Sequence, residues 1–272
     1  MIDLSGKAIA ITGASSGIGR ATAIACAREG MNIALMARRE DRLRALADEL
    51  PQTQTLVHAG SVDDADASTA FIERTEAEIG PVYAVFANAG YGVEADTLEM
   101  PTTDLRRMFE VNFFGSLSVV NAALPSMIER GEGHALLCSS CLSKIALPRY
   151  AAYCATKAAQ DHFGRAMRTE LAPRGVAIST VHPVGTRTDF FDTAAALSGD
   201  ELRLVDRART ATLQSPDRVA RAIVKRLRTG RGGEVWTASL TRTLLAASVA
   251  LPGVTDRALS WMYRRKGAQT ER

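Results

Sequence analysis

The chain has 272 residues, 46% hydrophobic and 23% charged, with a formal net charge of +3. That is enough sequence for one large α/β domain with a substantial core, and too apolar for disorder to dominate. The charge excess is small and dispersed apart from short clusters such as Arg38-Arg39 and Arg264-Arg265-Lys266, so nothing demands nucleic acid. Met1 to Lys7 lack the charged, apolar and cleavage regions of a signal peptide, and the expected compartment is the cytoplasm.

Apolar runs bounded by turn residues alternate with helical periodicities, the pattern of βαβ units and a parallel sheet. The first strand is expected over Ala8 to Thr12, followed by Thr12-Gly13-Ala14-Ser15-Ser16-Gly17-Ile18-Gly19 and a helix from Gly17 to Glu29. Glycines at 13, 17 and 19 permit a tight turn and close backbone approach, and the amides and positive dipole of the helix start attract phosphates. This places a dinucleotide pyrophosphate over Gly13, Ser15, Ser16, Gly17, Ile18 and Gly19. The second strand, Asn32 to Ala37, ends at Arg38-Arg39. An acidic residue there would hydrogen-bond a ribose 2′-hydroxyl, whereas an arginine pairs with a 2′-phosphate. The expected cofactor is therefore NADP(H), with Arg38 the favoured partner and Ser15 and Arg39 assisting.

Further strands are expected at Thr55 to Ala59, Ala84 to Ala87, His134 to Ser139, Ala177 to His182 and Glu234 to Thr237. Between them lie helices at Glu40 to Leu50, Ala65 to Ile79, Thr103 to Ile128, Ala151 to Leu171 and Pro216 to Arg228. Gly30, Gly80, Gly131 and Gly230 are expected to close four helices, and Ser215-Pro216 to open the last. The predicted fold is α/β and Rossmann-like: a doubly wound, seven-stranded parallel sheet with helices on both faces, one domain over residues 1–272 with its core at about 5–237.

Cys138-Ser139-Ser140-Cys141 reads C-x-x-C but ends a strand, with no second pair or spaced histidines to complete a zinc site. With Cys26 and Cys154 it is read as small packing residues, neither disulfide framework nor metal site. His58, His134, His162 and His182 lack ligand spacing. Tyr153 and Lys157 carry more chemistry, because residues four apart share one face of a helix. A free tyrosine titrates near pH ~10, and a nearby positive charge pulls that value toward the working range. Ser140 would hold the oxygen that receives the proton.

These features together resemble the short-chain dehydrogenase/reductase family, in its shorter single-domain branch, over about residues 5–237. The resemblance rests on Thr12 to Gly19, Asn88-Ala89-Gly90, Val111-Asn112, and Ser140, Tyr153 and Lys157 at family spacing. It implies Tyr153 as general acid or base, with Lys157 lowering its pKa and holding the nicotinamide ribose. Ser140 would orient the substrate oxygen and Asn112 support a water in the proton relay. Asn88, Ala89 and Gly90 would build the cofactor wall, Ser61 and Val62 contact adenine, and Pro183, Gly185, Thr186 and Thr188 lie on the nicotinamide side. Ala87, Ser61 and Val184 depart from the family pattern. Members usually pair through the helices holding Asn112 and Tyr153, so a homodimer or homotetramer is expected.

The substrate is expected to be a small hydrophobic carbonyl compound or alcohol, in a pocket walled by Tyr91 to Glu94, Leu142 to Arg149 and Asp189 to Arg209. Leu142, Ile145, Leu147, Phe190, Phe191, Leu197 and Leu202 supply its apolar character. Two rival readings are a non-catalytic NADP(H) sensor on this fold and a sugar-nucleotide epimerase or dehydratase. Residues 238–272 break the βαβ pattern with the apolar run Leu244 to Leu251, then Ala258 to Tyr263 leading into Arg264-Arg265-Lys266. They read as an arm that covers the cleft or packs on a second subunit, or as a peripheral membrane contact with Trp261 and Tyr263 at the interface.

Overall fold

The structure is a computed structural model that describes residues 1–198 and 213–270, with the backbone alone over 265–270. Seven strands form one parallel sheet in the order β3-β2-β1-β4-β5-β6-β7. They are β1 (Ala8–Thr12), β2 (Asn32–Ala37), β3 (Thr55–Ala59), β4 (Val82–Ala87), β5 (Gly133–Cys138), β6 (Val176–His182) and β7 (Gly233–Trp236). Every residue of β1, β4 and β5 is buried, as strands covered by helices on both faces must be.

Alternate strand residues feed two separate cores. Ile9, Ile11, Leu35 and Phe86 pack beneath α1 (Gly17–Ala27), α2 (Glu40–Asp48) and the later helix α8 (Pro216–Thr229). Ala10, Val85 and Leu137 face the other way, against α3 (Ala65–Glu78), α5 (Gly115–Arg130) and α6 (Ala151–Leu171). Helix α8 shows the driving force: Val219, Ala220, Ile223, Val224 and Leu227 fall on one stripe and are all buried.

The helix expected from Thr103 to Ile128 runs from Thr102 to Arg130, and its middle is not α-helical. Helix α4 (Thr102–Phe109) passes into a π-helical turn, Glu110–Phe114, before α5 begins. Such bulges recur at functional sites, and this one contains Asn112. Gly131 and Gly230 cap α5 and α8 in the left-handed conformation as expected, while α1 ends three residues before Gly30 and α3 two before Gly80. Beyond the expected elements lie α7 (Phe190–Ser198), α9 (Ser239–Ala250) and α10 (Pro252–Thr270).

Phe86 is fully buried in β4, between the two strands that frame the site. Phe86→Ala is expected to lower the unfolding free energy by about 3–5 kcal/mol. Truncating exposed Leu98 to alanine should change it by no more than about 0.5 kcal/mol. Denaturant titration of the two variants checks the contrast.

Candidate active site

Strand order reverses between β1 and β4, which opens a crevice at their carboxyl ends. Thr12 and Asn88 stitch the two strand ends together. The Thr12 hydroxyl accepts the amides of Asn88 (3.0 Å) and Ala89 (3.2 Å), and the Asn88 side-chain amide donates to the carbonyls of Thr12 (3.1 Å) and Gly13 (3.3 Å). Gly13 has φ +64°, and a Cβ there would lie 2.9 Å from the Ala89 backbone. A Cβ on Gly19 would lie 2.4 Å from the Gly13 carbonyl oxygen. Glycine is thus required by the turn's own packing.

Ser16, at the N-cap of α1, gives no side-chain cap to the first-turn amides, and Ser16, Gly17 and Ile18 line a cleft of about 1320 Å³. An uncapped helix start on a cleft wall, beside a turn too tight for side chains, fits a dinucleotide pyrophosphate. Gly13, Ser15, Arg38, Arg39, Ser61 and Val62 line the same cleft. So do Asn88, Ala89, Gly90, Pro183, Gly185, Thr186 and Thr188. Gly19 is expected on this wall but is buried behind it.

The second arginine, not the first, reaches the glycine turn: Arg39 donates to Ser15 Oγ (3.0 Å) and Ser16 Oγ (3.4 Å). Across the cleft, Asp189 pairs with Arg42 at 2.8 Å and approaches Arg39 at 3.8 Å. Arg42 was not expected here, and Asp189 was expected only as the start of the substrate wall; both line the cleft, and no local motif marks their pairing. Past β6, the Thr186 hydroxyl donates to the Val184 carbonyl (2.6 Å) and receives the Gln214 amide (3.0 Å), which fixes the loop that follows the strand.

Ser140, Tyr153 and Lys157 line this cleft together, with exposures of 7%, 9% and 4%. Lys157 Nζ donates to the Cys138 carbonyl at the end of β5 (2.8 Å) and to Gln160 Oε1 (2.8 Å). Gln160 in turn donates to Ser116 Oγ (2.7 Å), and Ser116 donates to the Asn112 carbonyl (2.8 Å). The Asn112 side chain is wholly buried behind the cleft wall. Its Oδ1 accepts the Tyr91 amide (2.9 Å), and its amide donates to the Tyr91 carbonyl (2.8 Å) and Thr156 Oγ1 (3.1 Å). Asn112 therefore anchors the loop over the site and does not face the cleft with its side chain.

Burial pushes the Tyr153 phenol well above its ordinary pKa, and the Ser140 hydroxyl opposes the shift. The sequence expectation of a phenol lowered by Lys157 is not met in the protein alone. The ammonium lies 5.6 Å from the centre of the Tyr153 ring, and burial lowers Lys157 itself from 10.5 to about 8. Tyr153 is held protonated, packed against Phe190 at a centroid distance of 5.3 Å.

The end of the cleft around Tyr153, where substrate is expected, is apolar: Val93, Leu142, Leu147, Phe190, Phe191 and Leu197 line it, together with Tyr91. Ile145 and Glu94 are absent from the described wall; Glu94 is buried in an ion pair with Arg149 at 3.1 Å. Arg149 holds φ +67°, the one left-handed non-glycine residue among those described, next to Tyr150 on the wall. Leu202 and the rest of the expected 199–209 wall lie outside the described residues.

Behind Ser140 is a buried charge network. His182 Nδ1 is 3.1 Å from the Ser140 carbonyl oxygen, and Nε2 is 3.0 Å from Thr180 Oγ1 and 3.3 Å from Asp161. Lys144 pairs with Asp161 (2.5 Å) and Glu234 (3.1 Å), and the His182 ring stacks on Trp236 at 4.5 Å. Ligand atoms of Asp161, His182 and Glu234 all lie within 4.8 Å, but the Lys144 ammonium already bonds both carboxylates. The cluster braces the Ser140 turn from β6 and β7.

A profile of the short chain dehydrogenase family matches residues 7–197. A dehydrogenase/reductase SDR family protein 7-like of Drosophila melanogaster is 34% identical over 228 residues, covering 82% of this chain and 70% of that protein. Among solved structures, an alcohol dehydrogenase of Thermococcus sibiricus complexed with 5-hydroxy-NADP is 31% identical with a TM-score of 0.74, covering 85% of this chain and 95% of that one. A short-chain dehydrogenase of Streptomyces avermitilis is 27% identical with a TM-score of 0.79, covering 97% and 99%.

Burial would raise the Asp161 carboxyl, but His182 and Lys144 outweigh it and hold the group well below the usual carboxylate range. A depressed carboxyl stabilises the fold above its ordinary pKa of about 4, and that share is lost as pH falls toward the depressed value. Asp161→Asn should lower the melting temperature at neutral pH and flatten its fall between about pH 5 and 3. An unchanged acid slope would assign that sensitivity to other groups.

Proposed function

The chain belongs to the short-chain dehydrogenase family, and from that premise we propose that it is an NADP(H)-dependent oxidoreductase interconverting a carbonyl and an alcohol on a hydrophobic substrate. The observation that carries this reading is the presence of Ser140, Tyr153 and Lys157 in the same cleft as the uncapped N-terminus of α1. A nicotinamide bound there supplies or accepts the hydride. Tyr153, kept protonated by burial, donates its proton to the carbonyl oxygen, and the Ser140 hydroxyl holds that oxygen by a hydrogen bond. In the reverse direction the Tyr153 phenolate takes the alcohol proton. Lys157 has committed two of its three donors to Cys138 and Gln160, which leaves one for the cleft.

Arg39 on Ser15, with Arg38 and Arg42 along the same wall, supports the preference for a 2′-phosphate. The Thermococcus sibiricus neighbour, complexed with an NADP derivative, is in keeping with it. Apolar side chains around Tyr153 support a hydrophobic substrate. A second copy of the chain is the proposed partner of the face where Phe114 and Phe163 stand exposed, packed on Phe113 at centroid distances of 5.1 and 5.6 Å.

Spectrophotometric NADPH oxidation against a panel of ketones and aldehydes tests the activity. In it Tyr153→Phe should lower kcat by about 10²–10⁴ while NADPH affinity stays near wild type. Wild-type turnover in that variant would remove the phenol from the chemistry. Arg39→Ala should weaken NADPH binding by roughly tenfold or more, the loss of a charge-assisted contact, and leave NADH binding unchanged. Equal losses for both nucleotides would place Arg39 outside the 2′-phosphate site.

A further inference from the structure

Helices α9 and α10 leave in solvent what the rest of the molecule buries. Of thirteen large hydrophobic residues exposed among those described, eight lie between Leu240 and Tyr263. Leu240 is 73% exposed, Leu244 62%, Leu251 59% and Val254 61%, and no residue of α9 is buried. The partly covered side is carried instead by Thr241, Leu245 and Ser248, at i, i+4 and i+7. A surface helix normally turns its leucines inward, so this face is inverted.

Charge follows the same division. Residues 238–272 hold six of the 33 basic residues and only two of the 30 acidic ones, a net +4 against −1 for residues 1–237. Both helices also touch segments that flank the cleft. Ser248 Oγ lies 3.4 Å from the carbonyl of Lys144, in the turn after Ser140, and the Tyr263 hydroxyl donates to Asp96 (3.0 Å), near the Tyr91–Val93 wall.

We propose that α9 and α10 dock this face on an anionic lipid bilayer and hold the substrate mouth at its surface. Apolar residues enter the headgroup boundary while Arg242, Arg257 and Arg264 meet anionic headgroups. At 12 residues α9 is far short of the ~20 needed to span, so the contact is peripheral. A second copy is a poorer occupant, because a two-fold contact would set one net-basic segment against another. Delivery of a hydrophobic substrate from the membrane rests on the oxidoreductase reading above; docking itself does not.

The test is flotation of the full-length chain with phosphatidylcholine vesicles, with and without equimolar phosphatidylglycerol, for wild type and L244E/L251E. Wild type should float with anionic vesicles, less so in high salt, and stay soluble with neutral ones. The variant should bind at least roughly tenfold more weakly, since two leucines are withdrawn from lipid and two like charges are added against anionic headgroups. NADPH affinity and melting temperature, measured on both proteins, confirm that the variant is folded. Wild type left soluble with anionic vesicles, or a folded variant that floats equally well, overturns the proposal. So does a wild-type oligomer in sedimentation velocity that L244E/L251E splits, which would make the face a self-association surface. Flotation needs no turnover, so its failure leaves the oxidoreductase reading intact, and an inactive protein that floats fails only that reading.

Discussion

A buried ammonium has to be answered on every side, and the answering of Lys157 organises the centre of this molecule. Its donors reach the end of β5 through Cys138 and its own helix through Gln160. Gln160 passes the constraint to Ser116 on α5, and Ser116 to the carbonyl of Asn112 inside the π-helical turn. From there the Asn112 side chain takes hold of Tyr91 and, through Thr156, of the helix that carries Tyr153. The π-helical turn belongs to the same constraint, since it sets Asn112 between the Tyr91 loop and α6. Strand, two helices and loop are therefore registered to one another around a single charge.

Around that centre the cleft has two ends of opposite character. Arginines 38, 39 and 42 and an uncapped helix start make the nucleotide end cationic. Aromatic and aliphatic side chains make the other end dry, and the dryness has a direct electrostatic effect. Desolvation is the leading cause of both the raised Tyr153 phenol and the lowered Lys157 ammonium, so the apolar wall that would recognise substrate also sets the protonation state of the acid. The Asp161–His182–Lys144 network does the complementary work behind the wall, where it fixes the Ser140 turn without placing a charge in the cleft.

The strands were legible because a parallel strand covered on both faces must be apolar throughout, as Val82 to Ala87 is. The glycine turn was legible for a packing reason: residues larger than glycine at 13 or 19 would collide with the turn itself. What escaped depends on side-chain direction and on distant contacts. Consecutive residues at a strand end project to opposite sides, and composition does not say which of Arg38 and Arg39 faces Ser15. Asp161 and His182 meet only once α6 crosses β6, and Gln160 takes its meaning from Ser116 on another helix. The spacing of Tyr153 and Lys157 rightly put both on one face, yet spacing carries no information about burial, which decides the pKa. The terminal helices were obscured by their own inverted face, since a periodicity rule looks for leucines that point inward.

The cost of Lys157 bears on the choice between catalysis and mere nucleotide sensing. Lowered from 10.5 to about 8, the group is still largely charged near neutrality and there destabilises the fold by on the order of 3 kcal/mol. The sign follows from proton counts: between those two values the unfolded chain keeps a proton that the native state has released, so stability rises with pH across that window. A methionine of similar length would fill the space between Cys138 and Gln160 without that penalty. A penalty of this size is comparable with the loss of a whole core side chain. With Ser140 and a protonated Tyr153 on the same wall, the charge stands where the proposed proton transfer to a substrate oxygen would use it, a step that nucleotide sensing alone would not require.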